Sequence, residues 1–223
     1  MTYYPVIIIL ILAIIDWIAA DQKIKPLEYF AKPATMLALL WWAWQSVGLG
    51  GSMIWFTIGL IFCLAGDIFL MLPVDMFIFG LVSFLLGHVS YIIGLTTSAP
   101  YINLLGGVLI VLLGLFIWWL FPKLTRNLSA KGEGKLKIPI LVYSLVISFM
   151  VYSAVMTWTR PGWPAAAALS VSLGSLLFYA SDSMLAWDRF YNPLSHARLR
   201  VMTTYHLGQI GIILGAMLSL VLK

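Results

Sequence analysis

Five ionisable residues stand within or at the ends of long apolar runs: Asp16, Asp67, His88, Asp182 and His206. Ionisable groups in hydrocarbon are costly and mark functional sites by default. Asp67 lies between Cys63-Leu64-Ala65-Gly66 and Ile68-Phe69-Leu70, and Asp182 follows Leu177-Phe178-Tyr179-Ala180-Ser181. Neither has an inexpensive structural role. Two carboxyls in unlike surroundings can work as a pair, one protonated and one ionised, as they do on an oxocarbenium ion in glycoside hydrolysis. Asp16, Asp21, Asp75 and Asp188 read instead as polar helix ends. His88, with Tyr91 one turn on, and His206, flanked by Tyr205 and Gln209, complete the polar set. A helix–helix hydrogen bond would explain either histidine without catalysis.

Other chemistries find less support in the spacing. A zinc site would need His88, His206 and an aspartate to converge from separate helices, because no two of them share one helix face. Ser83 or Ser181 could complete a Ser-His-Asp set, but no Gly-x-Ser-x-Gly turn accompanies them. The single cysteine, Cys63, excludes an internal disulfide and reads as a packed thiol. No metal and no cofactor are expected.

The elements that carry these residues follow from composition. Of 223 residues 62% are hydrophobic and 9% charged, against about 25% charged in soluble domains. A mean hydropathy of +1.02 excludes both a soluble globule and a disordered chain. Continuous apolar runs without alternation favour helices, which satisfy their own backbone in lipid. The expectation is an all-α polytopic transmembrane bundle forming one domain over 1–223. Eight spans are predicted, at roughly 3–20, 34–48, 53–72, 76–96, 102–121, 138–158, 164–186 and 201–222. The N-terminus lacks signal-peptide features, so the first run is expected to remain as a span.

Eleven of the 13 Lys and Arg fall on the first, third, fifth and seventh connections, and only Arg160 and Lys223 on the other side. The positive-inside rule puts those odd connections in the cytoplasm and both termini outside. Asp16, Asp67, Asp182, Tyr205, His206 and Gln209 then gather toward the cytoplasmic leaflet, with Lys25 and Lys32 bracketing the first loop. Trp41, Trp42, Trp44, Trp118, Trp119, Trp158 and Trp163 fall near helix ends, as an interfacial belt requires. Gly80, Ser83, Gly87, Ser90 and Gly94 on one helix, and Gly208, Gly211, Gly215 and Ser219 on another, form small-residue seams for close packing. The net charge of +5 is a matter of topology and lipid headgroups, not of nucleic acid.

Several motifs in order along nearly the whole chain resemble the YhhN-type lysoplasmalogenases. They are Lys25-Pro26-Leu27 with Lys32-Pro33, Gly66-Asp67-Ile68-Phe69-Leu70 and Gly87-His88-Val89-Ser90-Tyr91. Phe178-Tyr179-Ala180-Ser181-Asp182-Ser183-Met184-Leu185 leading to Arg189-Phe190, and Tyr205-His206-Leu207-Gly208-Gln209, continue the series. The resemblance implies hydrolysis of the vinyl-ether bond of a lysoplasmalogen, giving a fatty aldehyde and glycerophosphoethanolamine or glycerophosphocholine. That chemistry protonates an alkene carbon, adds water to the oxocarbenium ion and releases an alcohol. Asp67 and Asp182 are the expected catalytic pair, with the acid unassigned between them. His88, Tyr91, Tyr205 and Gln209 are expected to position water and the ether oxygen, and Lys25, Lys32 and Arg189 to hold the phosphate. Asp67→Asn and Asp182→Asn are each expected to stop aldehyde release and leave the fold intact. The expected partners are a lysophospholipid and bilayer lipids. The expected location is the bacterial inner membrane, with the site facing the cytoplasmic leaflet. The rival readings are a zinc-dependent lipid hydrolase of seven-helix type and a lipid-binding or transport protein.

Overall fold

A computed structural model describes residues 4–96, 103–126, 128 and 133–222. Eight α-helices appear: α1 Tyr4–Gln22, α2 Lys25–Val47, α3 Ile54–Met71, α4 Phe77–Leu95, α5 Leu104–Thr125, α6 Lys137–Val155, α7 Ala165–Phe190 and α8 Ala197–Val221. No strand occurs among the described residues. All eight expected helices are present, and seven are long and apolar enough to cross a membrane. This is an integral membrane protein. Beyond Thr96, the expected turn over 96–100 lies outside the described residues, as does much of the basic loop between α5 and α6.

The eighth helix, α2, departs most from expectation. It begins at Lys25, nine residues before the predicted start at 34, and the predicted loop shrinks to Lys23 and Ile24. Pro26 suits the first turn, where its missing N–H is not needed. Pro33 sits inside the helix rather than at its start. Lys25, Glu28 and Lys32 follow helical spacing and find partners: Lys25 Nζ is 3.3 Å from Glu28, Arg198 donates to Glu28 at 2.5 Å, and Lys32 Nζ is 3.1 Å from Asp67. Charges that are paired across helices do not need a loop. Lys32 therefore no longer counts among the loop cations that bear on orientation.

The helices associate as hairpins α1–α2, α3–α4 and α7–α8, with α6 bridging α4 and α7, and α8 also touching α1 and α2. The two small-residue seams make the closest approaches. On α4, a Cβ at Gly87 would lie 2.8 Å from Cys63 Sγ, so the thiol is packed against α4 as expected. On α8, Gly208, Gly211 and Gly215 meet α7, whose own Gly174 was not recognised in the sequence. A Cβ at Gly174 would come within 2.5 Å of the Ile212 backbone nitrogen. Backbone cannot yield as a side-chain tip can, so Gly174→Val should cost about 1–3 kcal/mol or more. A thermal unfolding midpoint in detergent equal to that of the parent would contradict this contact.

The tryptophans expected near helix ends differ in burial. Trp44, Trp118 and Trp158 are exposed on the bundle surface, whereas Trp42 is turned fully into the core. Helix α5 is peripheral: it packs on α6 and more lightly on α7, and most of its length faces outward.

Candidate active site

Asp67 and Asp182 each organise a separate polar cluster. Asp67, fully buried on α3, receives Lys32 Nζ from α2 at 3.1 Å on Oδ1 and the Tyr205 hydroxyl from α8 at 2.5 Å on Oδ2. Lys32 is itself only 4% exposed, so this is a buried ion pair of the kind that depends on both partners. Asp182, on α7, receives the Tyr143 hydroxyl from α6 on Oδ2. His88 Nε2, from α4, lies 3.2 Å from the same oxygen and 2.9 Å from the Tyr143 hydroxyl oxygen.

An aromatic wall separates the clusters. The Phe178 ring centroid is 4.7 Å from that of His88 and 5.2 Å from that of Tyr205. Phe84 stands 5.8 Å from Tyr205 and 6.2 Å from Phe178. The carboxyls do not hydrogen-bond to each other; each is met by donors from neighbouring helices.

The remaining expected residues are distributed around this wall. Tyr91 donates to Gln209 Oε1 at 2.7 Å, and both are buried beside Cys63 rather than bonded to a carboxylate. Trp17 Nε1 donates to His206 Nδ1 at 3.1 Å, which leaves the neutral ring's proton on Nε2. Asp16 is not the end of its helix: α1 continues to Gln22, and the carboxyl is fully buried, 3.9 Å from His206 Nδ1. His88 and His206 belong to different clusters. Among the described residues no three His, Cys, Asp or Glu side chains are grouped as a metal site. Ser181 donates its hydroxyl to the Val201 carbonyl at 3.0 Å.

The three cations expected to hold phosphate do not gather. Lys32 is committed to Asp67 and Lys25 to Glu28. Arg189 lies at the end of α7, 3.3 Å from Asp75 and stacked 3.9 Å over the Phe77 ring.

Beside Asp182 lies a narrow cleft, with an internal volume of about 60 Å³, formed by α4, α5, α6 and α7, with Leu70 of α3 at its edge. Its walls include Leu81, Phe84, Leu120, Ile147 and Phe190, and its polar groups are Tyr143, Ser144, Tyr179, Asp182 and Ser183. Ligand pockets have this character: mostly apolar, with a few convergent polar groups. Asp182 reaches it with its side chain 12% exposed, whereas Asp67 lies behind Phe84 and is enclosed. The sequence reading missed Tyr143. The available signal was a tyrosine near the middle of the α6 run, one of two there with Tyr152, whose hydroxyl needs a partner when buried.

The profile of the YhhN family matches residues 27–216. A rat protein named lysoplasmalogenase TMEM86B is 30% identical over 222 residues, 98% of this chain and 85% of that protein. The pig protein of the same name is 35% identical over 185 residues, covering 80% of this chain and 71% of its own. A lysoplasmalogenase of Mycobacterium tuberculosis is 31% identical over 166 residues, 70% of this chain and 58% of that protein. No solved structure matches. With most of its length matched by the family profile, and with relatives at this identity along nearly all of it, the chain belongs to the YhhN family.

Proposed function

We propose that this protein is a membrane-embedded hydrolase that cleaves the vinyl-ether bond of lysoplasmalogens to a fatty aldehyde and glycerophosphoethanolamine or glycerophosphocholine. One observation carries the reading: an apolar cleft between helices is lined by a carboxyl group held by a tyrosine and a histidine. The names of its relatives agree with it.

A vinyl ether requires a proton donor at its alkene carbon, and a general acid placed there contributes about 10²–10⁴ in rate. Asp67 and Asp182 are the two catalytic carboxyls. Asp182 faces the cleft. Asp67, paired with Lys32, is the fixed negative charge behind the Phe84–Phe178 wall. Tyr205 orients Asp67, and His88 orients Asp182. Tyr91 and Gln209 brace α4 against α8. Arg189 is the cation next to the cleft's Phe77–Phe190 end and the group best placed for a phosphate. Lys25 and Lys32 act elsewhere, on Glu28 and Asp67.

The bias of Lys and Arg toward the odd connections supports both termini outside, with the site toward the cytoplasmic leaflet of a bacterial cell membrane. Purified protein should release aldehyde from lysoplasmalogen and none from the saturated alkyl-ether analogue. Aldehyde from neither lipid would overturn the hydrolase reading and leave a lipid-binding protein.

A further inference from the structure

We infer that Asp182 is the acid of the pair, that its Oδ1 carries the transferred proton, and that Tyr143 is the positioning residue that assigns it there. This rests on the vinyl-ether reading above and deepens it.

The Tyr143 hydroxyl has one proton, and its bond to Asp182 Oδ2 uses it. His88 Nε2, 2.9 Å from the Tyr143 oxygen and 3.2 Å from Oδ2, therefore faces two acceptors and must be the nitrogen that carries hydrogen. Oδ2 is thus occupied by donors from α6 and α4. A proton on Oδ2 would collide with both. Among the described residues nothing donates to Oδ1, and the carboxyl lines the apolar cleft. The remaining position for an acidic proton is Oδ1, on a carboxyl that lines the cleft. Asp67 offers no such arrangement: one oxygen meets an ammonium, the other a hydroxyl, and the group does not reach the cleft.

The step balances with a single carboxyl. Oδ1–H gives its proton to the alkene carbon farther from the ether oxygen, and the alkene electron pair forms the new C–H bond. The adjacent carbon becomes the oxocarbenium centre. Water adds there and returns a proton to Oδ1. The resulting hemiacetal loses the glyceryl alcohol as its hydroxyl proton passes to the departing oxygen, leaving the aldehyde. No oxidant or metal enters the balance.

A donor fixed on Oδ2 from one direction aims Oδ1 at one face of the alkene. In deuterium oxide the parent should label the aldehyde at carbon 2 with a single configuration, which borohydride trapping preserves in the primary alcohol. Tyr143→Phe keeps the ring against His88, 5.4 Å between centroids, and removes only the hydroxyl. Its kcat should fall by about tenfold to a hundredfold, the equivalent of one hydrogen bond to a charged group, with KM nearly unchanged. Its deuterium should appear on both faces. His88→Leu, which removes the other donor to Oδ2, should scramble the label in the same way and serves if Tyr143→Phe is recovered unfolded. A rate within about twofold of the parent, an effect confined to KM, or a slow variant that still labels one face would each overturn the assignment. No aldehyde from the parent would instead overturn the hydrolase reading and this assignment with it.

Discussion

Asp182→Asn should lower aldehyde release by about 10³-fold or more while the protein remains folded and still binds the saturated ether lipid. The amide retains an oxygen that can accept from Tyr143 and His88, so both neighbours keep a partner. The side chain lies at the edge of a cleft, 12% exposed, so no buried charge is stranded by the change. Only the transferable proton is lost. The expected pattern is a collapse of kcat with the affinity for the unreactive analogue intact, the signature of an interaction used in the transition state alone. Turnover within tenfold of the parent would remove Asp182 from the reaction. Aldehyde release from the vinyl-ether lipid and equilibrium binding of its saturated analogue measure the two halves.

Lys32→Met should be the most destabilising single change at the site, by about 3–5 kcal/mol, because it leaves Asp67 as an unpaired charge in the interior. Asp67→Asn strands the ammonium in the same way. The sequence alone led to the expectation that Asp67→Asn would spare the fold; a lysine only 4% exposed beside it reverses that expectation. The double variant Lys32→Met with Asp67→Leu should recover most of the stability, since replacing both members of a buried pair by apolar groups is often neutral or better. It should not recover activity. Unfolding followed in detergent separates these results. Single variants as stable as the parent would mean that the pair is solvated. A double variant that releases aldehyde normally would show that Asp67 has no part in the reaction.

The helices were legible because each apolar run must satisfy its own backbone in lipid. Asp67, His88 and Asp182 were legible for the complementary reason, as polar groups at positions where such groups are expensive. The start of α2 was not. Lys25, Glu28 and Lys32 look like a solvated loop until Arg198 and Asp67 are brought to them from distant helices. Asp16 was misread on the same logic, as a helix end, although it lies in the interior of α1. Tyr143 escaped because a tyrosine costs little in a span and its partner is 39 residues away. Local pattern carries the price of a residue in its surroundings; it does not carry the identity of the group that meets it. The same limit hid the division between the two carboxyls, since only packing shows that Phe84 and Phe178 stand between them.

One wall of the cleft is α5, a helix that packs on α6 and lightly on α7 and otherwise faces outward. In a membrane that outward surface rests on acyl chains, so the cleft is bounded on one side by a helix that the surrounding lipid presses into place. The cleft is therefore walled in part by the surrounding lipid. Bilayer thickness and lateral pressure become structural parameters of the site, as much as any side chain that lines it.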